Sequence, residues 1–378
     1  MIAAILCDFP IRSIDPLAND PEASRRQGIY PIWLETLAET FATSFPGKVH
    51  WITATKLVQK YRSIEWKGQT FHFLPRSKMR VGLLCGYIPD RFRIGKLLRT
   101  IGPDVVHAWG TEDLYALAAS DFGATALVSI QGYLTAYAKR GPVTHFESIQ
   151  RIWEAAALRK LSVITVESPW AAEQLRNRYP NKRIETIDYG VERDFFSLKR
   201  HPAPKPVFLY AGRLQPIKGS DTLLKAFSDP RLAGAELRLA GFGHTLNHYR
   251  THLTPNIKPL GPLTRDALRR EFQNAWCLVH PSLADTGPTV VKEARVAGLP
   301  VILTENCGSK QYIENGLSGF IIPPGDKEAL VNAVINMALS PRERILGMGL
   351  HGQDACRELL RPERTASRFL QLYRCLLS

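Results

Sequence analysis

Short apolar runs rich in β-branched residues recur along this chain with helix-like stretches between them, and this alternation limits the fold more than any other feature. In the first half the runs fall at 2–7, 49–53, 104–107, 126–130 and 162–166. In the second they fall at 207–210, 236–240, 276–279 and 300–303. Continuously apolar runs fit strands covered on both faces, so the pattern predicts parallel α/β sheets flanked by helices. Pro31 stands where a first helical turn tolerates proline, and Trp33, Leu34, Leu37, Ala38 and Phe41 follow at helical spacing. Further helices are expected over 114–119, 330–339, 344–359 and 366–377. Residues 197–206 carry three prolines and no periodicity, and read as a linker. The expected organisation is a Rossmann-like domain over 1–196, the linker over 197–206, and a second Rossmann-like domain over 207–350. Helices over 351–378 close the chain and are free to pack back on the first domain. Such sheets facing one another place a ligand in the cleft at the carboxyl ends of their strands.

The bulk numbers agree with two buried cores: 378 residues, 45% of them apolar and 22% charged. No apolar run approaches the roughly 18 residues that span a bilayer. The opening stretch, 1–8, reads as a first buried strand and not as a leader peptide. Six cysteines, scattered without a Cys-x-x-Cys pair, fit reduced core thiols of a cytoplasmic protein, not disulfides or a metal centre. The net charge of +14 is divided evenly between the halves. Its densest stretch is 76–99, where Arg76, Lys78, Arg80, Arg91, Arg93, Lys96 and Arg99 face only Asp90, with Leu83, Leu84, Tyr87, Ile88 and Phe92 interleaved. That mixture suits an anionic membrane surface at the inner face, and equally a plain solvated face. No nucleic-acid module accompanies the charge, so no nucleic-acid partner is expected.

Two segments carry chemistry. In 210–227 a strand ends at Gly212 and a loop bears Arg213 and Lys218 before Ser220 or Asp221 caps a helix. A guanidinium fork and a mobile ammonium at a strand end make a diphosphate clamp, although an isolated pair would equally be solvated loop cations. In 280–301 a strand ends near His280 and a helix begins with Pro288 near its first position. The N–H groups of Gly287, Thr289 and Val290 would then face the cleft, where the helix dipole favours an anion. Asp285 and Glu293 bracket that helix start. His107 ends a strand and reads either as an acceptor-side residue at the cleft edge or as a hydrogen-bonded structural histidine.

Together these segments resemble the retaining nucleotide-sugar glycosyltransferases of family four, which have the GT-B fold of two Rossmann-like domains facing a central cleft. Gly212, Arg213, Leu214, Lys218 and Gly219 match the family's Gly-Arg-Leu…Lys-Gly motif. The stretch 239–243, with Gly241 and Gly243, matches its glycine-rich strand end, and Asp285 and Glu293 match its two spaced acids. The closing stretch 307–326 follows the family pattern as well. The resemblance implies that Arg213 and Lys218 hold the donor diphosphate and stabilise the leaving group. By the same resemblance Glu293 accepts from the ribose hydroxyls, Asp285 contacts the transferred sugar, Gly241 and Gly243 admit the nucleotide, and main-chain groups near Leu260 read the base. It implies transfer of a sugar from a nucleotide-diphosphate donor to a glycan, lipid-linked or small-molecule acceptor in envelope or exopolysaccharide synthesis. No metal and no cofactor beyond the donor is expected, and the chain has no Asp-x-Asp.

Three departures stand out. The first acid is Asp285 where the family usually has Glu. Gln131 of Ile130-Gln131-Gly132 stands where the first domain usually offers His-Gly. A polar stretch, 10–27, with only Gly28 before the helix, replaces a Gly-Gly loop. Gly28, His107 and Gln131 are therefore the acceptor-side candidates. The departures leave two other readings of the same fold, a nucleotide-sugar epimerase or hydrolase and a catalytically quiet binding protein.

Overall fold

The computed structural model describes residues 1–9, 14, 31–123, 125–241 and 253–378. Gly28, Gly243 and all of the polar stretch except Ile14 lie outside the described residues.

The first sheet holds β1 (Ile2–Leu6), β2 (Lys48–Thr55), β3 (Arg62–Trp66), β4 (Gln69–Pro75), β5 (Val105–Trp109), β6 (Ala126–Ser129), β7 (Val163–Val166) and β8 (Arg183–Thr186). Their order is β3-β4-β2-β1-β5-β6-β7-β8, and all pairs are parallel except β3 with β4. That antiparallel hairpin turns on Lys67 and Gly68, both at positive φ, the conformation a two-residue hairpin requires. The second sheet holds β9 (Val207–Ala211), β10 (Glu236–Ala240), β11 (Ile257–Gly261), β12 (Cys277–His280), β13 (Val301–Thr304) and β14 (Gly319–Ile322). Its order is β11-β10-β9-β12-β13-β14, parallel throughout.

Each sheet buries apolar layers on both faces, as the uninterrupted runs require. In the first sheet one layer gathers Leu6, Ile52, Val106, Val128 and Ile164, and the other Ile5, Trp51, Val105 and Leu127. The second sheet repeats the scheme with Phe208, Leu237 and Val279 on one face and Leu209, Leu278 and Val301 on the other. Helix Pro362–Leu377 returns to the first sheet, where Phe369 and Tyr373 complete its second layer beside helix Ile32–Ser44. Helix Gln353–Leu359 stays on the second domain against helix Thr289–Val296.

The chain therefore crosses between the domains twice, and the crossings run side by side. Val191 N–H donates to the Leu360 carbonyl at 3.0 Å, and a Cβ on Gly190 would come within 2.6 Å of Pro362 Cα. The stretch 197–206 is a strap along the second domain: Ala203 N–H donates to Asn274 O at 2.9 Å, and Arg200 donates to the carbonyls of Gly298 and Ala275. Burial pushes the Arg200 pKa down to about 10.

The basic stretch 76–99 is two helices, Met79–Leu84 and Ile88–Ile101. The fold takes three of its seven cations into ion pairs: Arg76 with Asp113, Arg91 with Asp121 and Arg93 with Asp90. Lys78, Arg80, Lys96 and Arg99 stay on the surface. All six cysteines are free thiols. No helix among the described residues is long and apolar enough to cross a membrane.

Candidate active site

The carboxyl end of β9 opens at Gly212 into a loop that exposes Arg213, which has no ion-pair partner among the described residues. The loop closes in a turn, Pro216–Lys218, and Gly219 follows at φ +72°. A Cβ at Gly219 would lie 1.8 Å from the Pro281 carbonyl oxygen, so only glycine fits there. Gly219 is the cap of helix Ser220–Phe227, and neither Ser220 nor Asp221 caps it as expected; the Ser220 hydroxyl donates back to Gln215 O at 3.1 Å. The turn carries Lys218 to Asp285, Nζ to Oδ2 at 2.6 Å, and His280 Nε2 lies 3.0 Å from the same oxygen. Burial alone would raise the Asp285 pKa, but the Lys218 charge and the His280 contact outweigh it and hold the carboxyl well below its ordinary range.

Helix Thr289–Val296 begins one residue later than expected, with Pro288 at the cap. The N–H groups of Thr289 and Val290 find no acceptor among the described residues. Gly287 lies under the other domain, where a Cβ would come 2.9 Å from Glu167 Cβ. Glu293, buried on this helix, accepts from Arg265 at 2.6 Å, and Arg265 also donates to Glu192 and lies over the Phe195 ring. Gly241 has a structural reason of its own: a Cβ there would lie 1.9 Å from the Gly212 carbonyl oxygen, where the ends of β9 and β10 meet. Its N–H donates to Gly261 O at 2.9 Å, which puts half-exposed Leu260 on the edge strand beside it.

The first domain supplies the opposite wall. Thr286 donates from Oγ1 to the Gln131 carbonyl at 2.5 Å, its N–H donates to the Tyr137 hydroxyl at 3.1 Å, and its own carbonyl accepts from Ser168 Oγ at 2.5 Å. A buried ion pair, Glu167 with Lys292, crosses the same junction, with Lys292 Nζ 5.0 Å from the Tyr189 ring centre. The Glu112 carboxylate packs over Gly110 and Gly132, within 2.5 Å of where a Gly132 Cβ would be. Burial pushes its pKa up to about 7, against backbone hydrogen bonds and with help from Glu154.

His107 is not at the cleft edge. It is wholly buried within β5, with Nδ1 2.6 Å from the Tyr373 hydroxyl and Nε2 2.7 Å from Ser129 Oγ. Burial pulls its pKa down to about 3, so it is a neutral core residue that ties the returning helix to the sheet.

Two family models, adjoining one another, together match residues 47–345: Glycosyltransferase Family 4 over residues 47–195 and Glycosyl transferases group 1 over residues 192–345. The chain belongs to the group 1, family 4 glycosyltransferases. An amylovoran biosynthesis glycosyltransferase of Erwinia amylovora is 24% identical to it over 191 residues, 47% of each chain, so that match spans about half of the relative's length. Sucrose-phosphate synthase from Thermosynechococcus elongatus superimposes at a TM-score of 0.80 with 18% identity, covering 100% of this chain and 99% of the other. HepE from Anabaena, solved with UDP-glucose, gives 0.72 with 14% identity and 99% of each chain covered. At such identities the two structures show the fold alone, the GT-B arrangement.

In this glycosyltransferase the fold adds partners that the sequence motifs do not contain. Arg265 on Glu293, Glu167 on Lys292, and Tyr137 and Ser168 on Thr286 are joined across separations of 28 to 149 residues. None stands at a spacing that names its partner. The one local hint is the adjacent pair Glu112-Asp113 in the segment that follows the strand expected over 104–107, the kind of place where a ligand-facing acid belongs.

Proposed function

We propose that this glycosyltransferase moves a sugar from a nucleotide-diphosphate donor to an acceptor hydroxyl with retention of anomeric configuration and without a metal ion. The observation that carries the reading is Arg213: a cation at the end of β9 with no ion-pair partner among the described residues, five residues from the Lys218–Asp285 pair. Arg213 and Lys218 take the donor diphosphate, and the unbonded N–H groups of Thr289 and Val290, with Gly287 and Pro288, complete the anion site. Glu293, oriented by Arg265, receives the ribose hydroxyls. Asp285 holds the transferred sugar, and main chain at Gly241 and Leu260, with Gly243, receives the base. HepE was solved with UDP-glucose, which supports a nucleotide-sugar donor here.

The reaction balances without an enzymic nucleophile. The acceptor oxygen bonds to the anomeric carbon on the face from which the diphosphate departs. The bond from that carbon to the phosphate oxygen breaks, and the acceptor proton passes to that departing oxygen. Charge gathers on the diphosphate, and the two cations stabilise it there. Gln131 stands on the acceptor side and is able to donate a hydrogen bond.

The acceptor is a glycan or lipid-linked saccharide of polysaccharide synthesis, as the amylovoran relative's name suggests. We further propose peripheral attachment to an anionic inner membrane face through the two helices of the basic stretch. Val81, Leu84, Ile88 and Phe92 are 58–71% exposed there, beside Lys78, Arg80, Lys96 and Arg99. Apolar side chains among cations that form no ion pair among the described residues suit a lipid interface.

The test is turnover of UDP-, GDP- and ADP-sugars with EDTA present, with the product anomer read by NMR. A retained anomer at undiminished rate supports the reading. Inversion or loss of rate in EDTA overturns it, and sugar release at full rate without acceptor favours a hydrolase or epimerase. Flotation with phosphatidylcholine vesicles that is indifferent to added phosphatidylglycerol ends the membrane proposal.

A further inference from the structure

Outside the cleft, the flank of the first domain carries a cationic groove to which the reaction assigns no role. Helix His145–Lys160 and helix Pro169–Arg176 bound it, and the loop after β6 closes one end. It consists of two adjoining depressions, of about 360 and 280 Å³, that share Thr135, Arg151 and Arg178. Lys139 and Arg159 line it as well, and no carboxylate does. None of the four cations takes part in an ion pair among the described residues. The acid behind the groove, Glu154, is already engaged: it accepts from Thr111 Oγ1, from the N–H groups of Leu134 and Thr135, and from Thr135 Oγ1 at 2.7–3.1 Å. Two buried polar atoms of the lining, Arg151 Nε and the Tyr133 hydroxyl, have no hydrogen-bond partner among the described residues. A buried donor without a partner is costly, and so are four cations gathered with no counter-charge.

From this we infer that the groove is a binding site for a phosphate-bearing ligand, distinct from the donor site. Three guanidinium groups and an ammonium offer donors to phosphate oxygens, while the Tyr133 hydroxyl offers a neutral one. A neutral sugar would leave the charges unanswered, and a single carboxylate would answer one. Arg151 and Arg178 line both depressions and can meet one phosphate group together, while Arg159, about 12 Å from Arg151 along the helix by its rise per residue, leaves room for a second. Such a group occurs on a lipid headgroup and on a free phosphate compound alike. The groove also adjoins the cleft mechanically. Thr135 shares a short helix, Leu134–Tyr137, with Tyr137, which together with Gln131 just before it holds Thr286 of the second domain.

The test titrates the full chain with inorganic pyrophosphate by calorimetry and compares two variants. Because the donor cleft is itself proposed to take a diphosphate, Arg213→Ala serves as the reference. The expected result is a binding event that survives Arg213→Ala and weakens by about tenfold in Arg151→Gln/Arg178→Gln. Arg178 is exposed, so Arg178→Gln alone keeps the fold and should weaken binding by a smaller factor even where the double variant is unstable. A second arm floats each protein with phosphatidylcholine vesicles with and without phosphatidic acid. Recruitment by phosphatidic acid that the groove variants lose names a lipid headgroup; an effect confined to pyrophosphate names a free phosphate ligand. No binding in either arm, or binding that Arg178→Gln and the double variant leave unchanged, overturns the proposal.

Discussion

The second domain's wall of the cleft takes its chemistry from neighbours in sequence, whereas the first domain's wall takes it from residues far apart. Arg213 and Lys218 sit five positions apart on one loop, and Asp285 and Glu293 bracket one helix start. Opposite them, Glu112, the pair Gln131 and Tyr137, and Glu167 come from three separate segments, and the last three touch the second domain through Thr286 and Lys292. The difference follows from what each wall has to do. A diphosphate is the same in every donor, so a fixed local arrangement of cations and N–H groups can hold it. Acceptors differ, and a wall assembled from many loops can change one loop at a time.

Variants can break this contrast or sharpen it. The largest effect is expected in the second domain: Arg213→Ala and Lys218→Ala should each lower kcat by about 10²–10³, the scale of losing one preorganised charge donor. Gln131→Ala, on the other wall, should cost under about tenfold. An equal loss in steady-state kinetics would mean that both walls carry the chemistry.

The junction comes next. Lys292→Met strands the buried Glu167 carboxylate and should destabilise the protein by about 3–5 kcal/mol, read by calorimetric unfolding. Replacing both partners, Glu167→Leu with Lys292→Met, should recover most of that. If the double variant is as unstable as the single one, the pair does not act as a pair.

His107 gives a smaller effect with a defined sign. Its folded pKa, about 3, lies below the ordinary value of 6.5, so the unfolded chain binds the proton first. The stability it contributes is complete above pH 6.5 and is lost as pH falls from 6.5 toward 3, by about 2 kcal/mol at pH 5. His107→Gln should flatten that part of the denaturation profile between pH 7 and 5. A slope that persists in the variant assigns the acid sensitivity to other groups. Smaller again, Glu293→Gln should weaken donor binding by roughly tenfold through one lost charge-assisted contact, visible in KM for the donor.

The strands of both sheet centres were legible because runs such as 126–130 and 162–166 are apolar on both faces. β3, β4, β8, β11 and β14 were not. Arg62–Trp66 and Ile257–Gly261 are edge strands with exposed positions, and β4 carries Gln69 and His72 inside an otherwise apolar run. The loop with Arg213 and Lys218 was legible from glycine, lysine and arginine spacing, but Lys218's partner, 67 residues away, was not. His107 shows the limit most plainly. A histidine at a strand end looks ligand-facing until the chain brings Tyr373 to it from 266 positions away. The glycines mark a subtler one: Gly219 and Gly241 stand at motif positions, yet their nearest constraints are the carbonyls of Pro281 and Gly212.

The contrast between the walls rests on the second domain binding the donor through Arg213. Calorimetric titration of the whole chain with UDP, GDP and ADP in metal-free buffer tests that claim directly, with Arg213→Ala measured alongside. Saturable binding of one nucleotide, weakened by tenfold or more in the variant while its melting temperature holds, is the predicted result. Binding of equal strength in Arg213→Ala, or no binding of any of the three, would contradict it.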